Sequence, residues 1–555
     1  MKIFNKILII SLAAIFTSCL GDLDTLPLNK TDFTSENAYE NEASYLNALA
    51  YINGYYMLVG QDDPGANDLG FSDAGQSEFL RQWFNLNEMT CDALKCVWGD
   101  SYLSDLQYDS WGGGTNDAMI CVYTRAVKAI ALVNEYLLQT EDSKLDARGQ
   151  SNLKSTIAGY RAEARFHRAM FFYTLMDLFG NPPFPTESNI LNATNPEQIQ
   201  RADLFNWLEE ELLYLASNES AMPEKGAVPY PRPTKGSVWA LLSRMYLNAE
   251  VYTGTARWQD AKDASQNVID MGYKIHGTYS DMFRQDNTTN GSTEEFVFAI
   301  AYDRVSTQSW GGTTTFTSAS LDEPTNLALG AAFGLGKINA ENWAGYHVPA
   351  DYVARFELVG VEWGNADNVF GYDRARSDKR AFFSNNGCVE TFDPALQTSG
   401  WLCWKYCGLN ADGTFAQAED VAGNFKLSSA DQPIFRLAEM YLNYAEADAR
   451  LNSGSVKDAT AVAYVKELRD RAGVGTPAEI TLDWLLDERA REFMWEGHRR
   501  VDLIRYGYFT DMNYPWTLKG GVLNGKVALP EYREIFPIIQ SDLSANSNLK
   551  QNSGY

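Results

Sequence analysis

Apolar residues recur at the spacing of an α-helix along two long stretches of the chain, at about residues 119–275 and 431–510. One apolar run ends at Gly180-Asn181-Pro182-Pro183, because two prolines cannot continue a helix. The acidic helix that follows has Asp203 as its expected N-cap. The pattern predicts helices over residues 161–179, 203–215, 235–252, 258–271, 433–451, 456–472 and 482–504.

The predicted helices come in pairs joined by short turns. Residues 235–271 are predicted to form a helix–turn–helix of about 34–37 residues, which is the length of a tetratricopeptide unit. The same pattern returns at 433–473, where small residues alternate with large ones, as close helix packing requires. We therefore expect roughly four helical pairs, stacked as in a solenoid.

The remaining stretches, about 54–118 and 276–430, are of a different kind. They are rich in Gly, Ser, Thr, Asn, Asp and aromatic residues, and only short strands are predicted there, at 295–301 and 401–406. Long ordered loops in a compact protein are usually functional. The fold class we predict is mostly α, with a tetratricopeptide-like scaffold of helical pairs and an irregular, aromatic-rich loop lobe that holds a few short strands.

Charge excludes one class of partner. The 555 residues include 46 Lys and Arg against 72 Asp and Glu, which gives a net charge of −26. Such an acidic field repels phosphate backbones, so we expect no nucleic acid partner.

The first residues have the features of a targeting segment. Lys2 and Lys6 form a basic start, and the apolar run at 7–16 is too short to span a bilayer. Cys19 follows almost directly, an arrangement that resembles a bacterial lipoprotein signal. We predict a signal peptide over 1–18 and a lipid anchor on Cys19. The alternative is ordinary signal cleavage nearby, with Cys19 incidental.

Residue types that bind metals do not form a familiar motif here. None of the four histidines lies in an H-E-x-x-H pattern, and the cysteine spacings are not the C-x-x-C of zinc ribbons. Oxygen ligands at 286–295 lack the spacing of an EF-hand, although a weak calcium site stays open. We expect no metal and no cofactor. Six cysteines are either buried thiols or form one or two disulfides of undetermined pairing: Cys91, Cys96, Cys121, Cys388, Cys403 and Cys407.

Four collinear motifs resemble those of the SusD/RagB family. They lie at residues 162–180, 433–447, 488–503 and 536–555, so the resemblance covers essentially the whole chain after the targeting segment. It implies one SusD-like domain over 19–555. It also implies a protein that is not an enzyme: an outer-membrane lipoprotein that binds glycan at the cell surface and caps a SusC-like TonB-dependent transporter.

The resemblance is strongest to the family's starch-binding prototype, and it implies the residues of a glycan site. The prototype's glycan-facing arginine falls on Arg81, and its three platform aromatics fall on Trp98, Trp310 and Trp343. Its sugar-contacting asparagine is replaced by Ser101. A pyranose has an apolar face and a rim of hydroxyls, so it suits flat aromatic rings with polar groups beside them. The expected ligand is a starch-like α-glucan.

Three alternatives stay open at this point. The first is a binder of a different polysaccharide with the same architecture. The second is a glycoside hydrolase, which needs two carboxylates beside a cleft. Glu488, Glu492 and Glu496 recur every four residues beside arginines, which indicates an i,i+4 ion-pair lattice instead, and the resemblance makes His498 structural. The third is a peptide-binding scaffold, although we expect the helical face to bind the transporter.

Overall fold

Helices dominate the part of the chain that this computed structural model describes, which is residues 38–60, 65–417 and 426–555. The predicted fold class, mostly α with a few short strands, is confirmed. In chain order the α-helices are α1 (Glu42–Gly54), α2 (Phe79–Glu88), α3 (Ser101–Gln107), α4 (Asp117–Gln139), α5 (Asp142–Ala147), α6 (Lys154–Phe179), α7 (Glu187–Asn192), α8 (Arg201–Ala216), α9 (Lys235–Leu247), α10 (Ala249–Thr253), α11 (Trp258–Ile269), α12 (Gly312–Ser318), α13 (Glu323–Ala332), α14 (Ala350–Val353), α15 (Leu437–Leu451), α16 (Ala459–Ala472), α17 (Leu482–Glu492), α18 (Arg499–Arg505) and α19 (Gln540–Ala545).

The strands within these ranges form two-stranded antiparallel ladders, in which β1 pairs with β3, β2 with β6 and β4 with β5. Most of them are only two residues long. Their bounds are β1 (Lys95–Cys96), β2 (Phe296–Ile300), β3 (Tyr346–His347), β4 (Phe383–Ser384), β5 (Leu402–Cys403) and β6 (Gln432–Arg436).

The scaffold helices pack in a continuous series: α4 on α6, α6 on α8, α8 on α9, α9 on α11, α11 on α15, and α15 on α16. The series passes from α11 to α15 although more than 160 residues of the loop lobe separate them in sequence. Small residues allow this close approach. Ser243 Oγ and Ser265 Oγ lie 2.7 Å apart, and the Asn443 side-chain amide donates to Ser243 Oγ at 3.0 Å, so buried hydrogen bonds join α9, α11 and α15.

Four predicted helix starts are wrong. Helix α6 begins at Lys154 instead of 161, and α16 begins at Ala459 instead of 456. Residues 433–436 belong to strand β6, and α15 begins only at Leu437. Pro433 lacks a backbone N–H and Ile434 and Phe435 suit a strand, so pairing with β2 takes precedence over the helical pattern. Helix α8 begins at Arg201 with Gln200 at its N-cap, and Asp203 lies in the first turn, where its charge still suits the helix dipole.

The predicted long helix at 482–504 is also wrong, since it is two helices. Helix α17 ends at Glu492 and α18 begins at Arg499. Between them Trp495 has a left-handed backbone with φ 60°, and Gly497 has φ 79°. A Cβ at Gly497 would overlap the Trp83 ring, so only glycine allows the turn to pack there.

The glutamates of this segment pair mainly with arginines from other segments, which corrects the expected i,i+4 lattice. Glu492 contacts Arg380, Arg436 and Arg471, and every member of this group is buried. Burial alone would raise the pKa of Glu492, but the surrounding arginines lower it to about 2. A carboxylate held in this way is a structural charge, not a general acid.

Aromatic and sulfur-containing residues are prominent in the larger of two buried hydrophobic clusters. Trp401 and Trp404, within the predicted strand segment 401–406, are buried, and His498 is buried against Phe493, with ring centroids 4.5 Å apart. All six cysteines from Cys91 onward are buried and unpaired. Among the helices described, none is long and apolar enough to cross a membrane. The predicted signal peptide and Cys19 lie outside the described residues.

Candidate functional site

Three partly exposed tryptophans from distant segments meet at the surface of the loop lobe. The Trp98 indole N–H donates to the Trp343 carbonyl oxygen at 3.1 Å. The Trp310 and Trp343 ring centroids lie 6.1 Å apart, with their planes inclined by 43°. We call Trp98, Trp310 and Trp343 the tryptophan cluster. The fold thus brings together the three platform residues that the resemblance implied.

Trp98 is placed by the short ladder between β1 and β3. Cys96 pairs with Tyr346, and the Val97 N–H donates to the Gly345 carbonyl at 3.0 Å. The Trp98 ring then lies over Gly345, where a Cβ would overlap it, and 5.3 Å from the Tyr346 ring. The position and inclination of the Trp98 ring are therefore fixed by the strand residues Cys96 and Tyr346 and by Gly345.

One buried helix connects the other two tryptophans. Helix α12 begins two residues after Trp310, and Trp343 donates its backbone N–H to the carbonyl of Ser318, the last residue of α12, at 2.7 Å. The Gly345 N–H also donates to the Ala319 carbonyl at 2.8 Å. Because both ring-bearing loops are attached to the two ends of α12, their relative position is set by a rigid element.

Arg81 is not exposed beside the rings. Its side chain is 2% exposed, its guanidinium lies 2.6 Å from the Asp73 carboxylate, and it donates to the Ala74 carbonyl at 3.2 Å. The next residue, Gly75, packs so closely on the Trp310 backbone that a Cβ would overlap it. Arg81 therefore holds the 73–75 loop against Trp310, and the group it presents to solvent is the half-exposed carboxylate of Asp73.

Ser101 is exposed at the first position of α3, directly after Asp100. Its neighbour Tyr102 is buried, and α3 packs on strand β1. Ser101 thus belongs to a helix that contacts the strand leading to Trp98. Whether the hydroxyl of Ser101 contacts a ligand stays a prediction.

Glu78 is a site residue that the sequence analysis missed. It lies at the N-cap of α2 with no exposed surface, and its carboxyl accepts hydrogen bonds from the hydroxyls of Tyr302 and Ser309 beneath the Trp310 loop. Burial raises its pKa to about 8, although those hydrogen bonds oppose the shift. The available signal was an acidic residue directly before the apolar pair Phe79-Leu80.

The site holds no evident metal centre. Across the described ranges, His, Cys, Asp and Glu do not form a group of three or more that could hold an ion, and the segment at 286–295 is no exception. Asp286 and Asn287 instead bond to neighbouring backbone, through the Ala411 N–H and the Met282 carbonyl. What the arrangement offers is flat aromatic surface beside hydroxyl and carboxylate groups.

The protein has a scaffold of helical pairs and a loop lobe that presents a cluster of aromatic rings. Comparisons with known proteins identify the family that has this architecture. The model described as "SusD family" matches residues 294–555, and that described as "Starch-binding associating with outer membrane" matches residues 68–247. The starch-binding protein SusD of Bacteroides thetaiotaomicron is 30% identical over an alignment that covers all of this chain and 98% of that protein. This chain belongs to the SusD family.

Solved structures have the same fold. A SusD homologue from Bacteroides thetaiotaomicron has a TM-score of 0.67 at 18% identity, over 94% of this chain and 98% of that one. Surface glycan-binding protein A of the same organism, in complex with laminarihexaose, has a TM-score of 0.65 at 18% identity, over 92% of this chain and 99% of that one.

Proposed function

We propose that this protein is a cell-surface glycan-binding lipoprotein, without enzymatic activity, that captures starch-like α-glucans and delivers them to a SusC-like TonB-dependent transporter. The tryptophan cluster is the observation that carries the proposal. Three partly exposed indoles offer a curved apolar surface, which suits the apolar faces of successive pyranose rings. The full-length similarity to a starch-binding relative supports an α-glucan as the ligand.

A β-1,3-glucan is the second candidate ligand. Two proteins of the same fold are described as bound to laminarihexaose or as laminarin-binding. They are only 17–18% identical to this chain, so they support the fold rather than the ligand. The relative at 30% identity favours the α-glucan.

Retention in native affinity gels distinguishes these ligands. The protein is run through gels that contain amylopectin, laminarin or dextran, with a gel without polysaccharide as the reference. We expect retention by amylopectin and none by laminarin. Retention by laminarin alone would assign the β-1,3-glucan, and release of reducing ends from amylopectin during incubation would favour a glycoside hydrolase.

The partner is tested on the protein in its native membrane. We expect extracts in mild detergent to yield a complex with a large β-barrel transporter when this protein is captured through a C-terminal tag. We expect the helical face of the scaffold to provide the surface for that contact. Isolation of the protein alone, in several mild detergents, would contradict delivery to a transporter.

A further inference from the structure

A buried carboxyl lies directly beneath the loop that carries Trp310. The Tyr302 hydroxyl donates to one oxygen of Glu78 at 2.5 Å, and the Ser309 hydroxyl donates to the other. Ser309 Oγ in turn accepts the backbone N–H of Gly311 at 2.9 Å. The residues on both sides of Trp310 are therefore hydrogen-bonded, directly or through one hydroxyl, to the same side chain.

Close contact with the Glu78 carboxyl explains why the two residues after Trp310 are glycines. A Cβ at Gly311 would overlap the Glu78 carboxyl, and a Cβ at Gly312 would overlap both that carboxyl and the Tyr302 hydroxyl. Gly312 also has a positive φ of 47°. The backbone of this loop thus lies in direct contact with Glu78, which leaves no room for a side chain or a water molecule between them.

The charged groups around Glu78 are already engaged elsewhere. Arg81 pairs with Asp73, and Arg125 pairs with Asp68 and donates to the Ser77 carbonyl at 2.9 Å. Burial raises the pKa of Glu78 to about 8, so the carboxyl is largely neutral at pH 7. A protonated Glu78 has one O–H of its own, so at pH 7 it accepts from one of the two hydroxyls and donates to the other. Both hydrogen bonds persist, and the loop is anchored without the cost of a buried unpaired charge.

We infer that Glu78 is the positioning residue that fixes Trp310 in the tryptophan cluster, by anchoring the loop at residues 309–312 from below. The inference rests on the proposed function for its importance to glycan capture. Few other contacts hold the backbone of Trp310: the Thr315 hydroxyl donates to its carbonyl at 2.9 Å, and Gly75 packs against it. Without the anchor, the Trp310 ring loses its fixed distance from Trp343.

The chain offers a matched control for this residue. Glu88, at the other end of α2, is equally buried, its pKa is also raised to about 8 by burial, and one oxygen accepts the Gly497 backbone N–H at 2.6 Å. A glutamine at position 78 would keep both hydrogen bonds of a neutral carboxyl, because its amide offers one acceptor and one donor. Glu78→Ala and Glu88→Ala remove the same kind of buried carboxyl from the two ends of α2. Ser309→Ala removes the link between Glu78 and Gly311 and leaves the carboxyl in place.

Hydrogen exchange of the folded full chain is measured first, because it needs no ligand. We expect Glu78→Ala and Ser309→Ala to speed exchange at least tenfold in a peptide covering 309–313, with no change in one covering 495–499. We expect Glu88→Ala to do the reverse. Unchanged exchange at 309–313 in both Glu78→Ala and Ser309→Ala would overturn the inference.

Amylopectin binding is the second readout. We expect Glu78→Ala to weaken binding at least fivefold, Ser309→Ala also to weaken it, and Glu88→Ala to leave it within twofold of the wild type. Equal losses in Glu78→Ala and Glu88→Ala would show general destabilisation and overturn the positioning role. If the wild type binds no glucan, the proposed function fails, whereas hydrogen exchange still decides whether Glu78 anchors the loop.

Discussion

Each tryptophan of the cluster is held by specific contacts rather than by complete burial. Trp98 donates its indole N–H to the Trp343 carbonyl, and Trp310 lies beside the Trp343 ring. Residues of this kind keep one ring surface free for a ligand while their position is fixed. Truncation should therefore remove binding energy without removing much of the core.

Replacement of each clustered tryptophan by alanine is the first prediction. A stacked ring contributes on the order of 1 kcal/mol beyond its buried area, so Trp98→Ala, Trp310→Ala and Trp343→Ala should each weaken α-glucan binding about fivefold or more. The double variant Trp98→Ala/Trp310→Ala should show no detectable retention in an amylopectin gel. Isothermal titration with a malto-oligosaccharide gives the affinities of the single variants.

The matched control is Trp363→Ala. Trp363 is also a partly exposed tryptophan of the loop lobe, but its ring contacts Trp401, at a centroid distance of 4.8 Å. Its loss should leave binding within twofold. Unchanged retention by the folded double variant would place the site elsewhere, and a fall of many degrees in its melting temperature would make these rings part of the core.

The side chain of Arg81 has a different orientation and role from those that the sequence indicated. The resemblance implied a residue facing the glycan, yet the side chain is buried and engaged with Asp73 and Ala74. Sequence spacing identifies which residues belong to a segment, but it does not reveal which of their side chains face solvent. The same limit hid Glu78, since its role depends on hydroxyls more than 220 positions away.

Burial of Glu88 makes stability depend on pH, which is the second prediction. Its pKa is raised from an ordinary 4.5 to about 8 by burial, while Lys405 and Arg499 oppose the shift and Asp92 adds to it. An acid with a raised pKa stabilises the fold while it is protonated, and this contribution is lost as the pH rises from about 4.5 to about 8. Above that range both states are ionised and the loss is complete.

Urea unfolding at pH 5 and pH 8 measures this effect as a difference between proteins. The free energy of unfolding of the wild type, minus that of Glu88→Gln, should fall by more than about 1 kcal/mol between the two pH values, since one pKa unit corresponds to about 1.4 kcal/mol. The exposed Glu219 provides the control, because Glu219→Gln should give a constant difference. A constant difference for Glu88→Gln as well would mean that its carboxyl titrates normally.

At the scale of elements, helical periodicity predicted scaffold helices such as α9 and α11 at about the right places. It failed at 433–436, where pairing with β2 decides the backbone, and at 493–498, where left-handed Trp495 breaks a continuous pattern. The two-residue ladders of β1, β3 and β4 were not predicted at all. Such short strands have no period of their own, and they exist because distant segments happen to meet.

The ladder between β1 and β3 gives the third prediction, Gly345→Ala. A methyl group at Gly345 would overlap the Trp98 ring, so the ring must move off the cluster or the ladder must shift. We expect α-glucan binding to weaken at least fivefold and the protein to lose about 1–3 kcal/mol of stability. Titration calorimetry and urea unfolding give the two values.

Gly99→Ala is the control for this element. Gly99 directly follows Trp98, and a Cβ there would have no atom within 4 Å. The same added methyl should therefore leave both binding and stability unchanged. Equal behaviour of Gly345→Ala and Gly99→Ala would show that Trp98 is not held against Gly345.

At the scale of the whole molecule, buried charges and the chain end hold the lobe and the scaffold together. Arg499 in α18 pairs with Asp92 before β1 at 2.7 Å, and both side chains are buried. Near the end of the chain, Asn552 donates to the Phe179 carbonyl at 2.7 Å, next to the C-terminus of α6. These contacts join distant segments of the chain, including the loop lobe and the scaffold.

The last prediction concerns how the protein is attached to the cell. The basic start at Lys2 and Lys6, the short apolar run and the cysteine that follows predict a lipid on Cys19. We expect the wild type to sediment with outer membranes and to resist a high-salt wash, because an acyl anchor is held by burial of its methylene groups rather than by charge.

Cys19→Ala should be released into the periplasm or the medium. Cys388→Ala, which alters a buried and unpaired cysteine of the folded domain, should stay with the membrane. Cell fractionation followed by immunoblotting checks all three proteins. If Cys19→Ala still sediments after the wash, a lipid on this cysteine is not what holds the protein, and ordinary signal cleavage with Cys19 incidental becomes the better explanation.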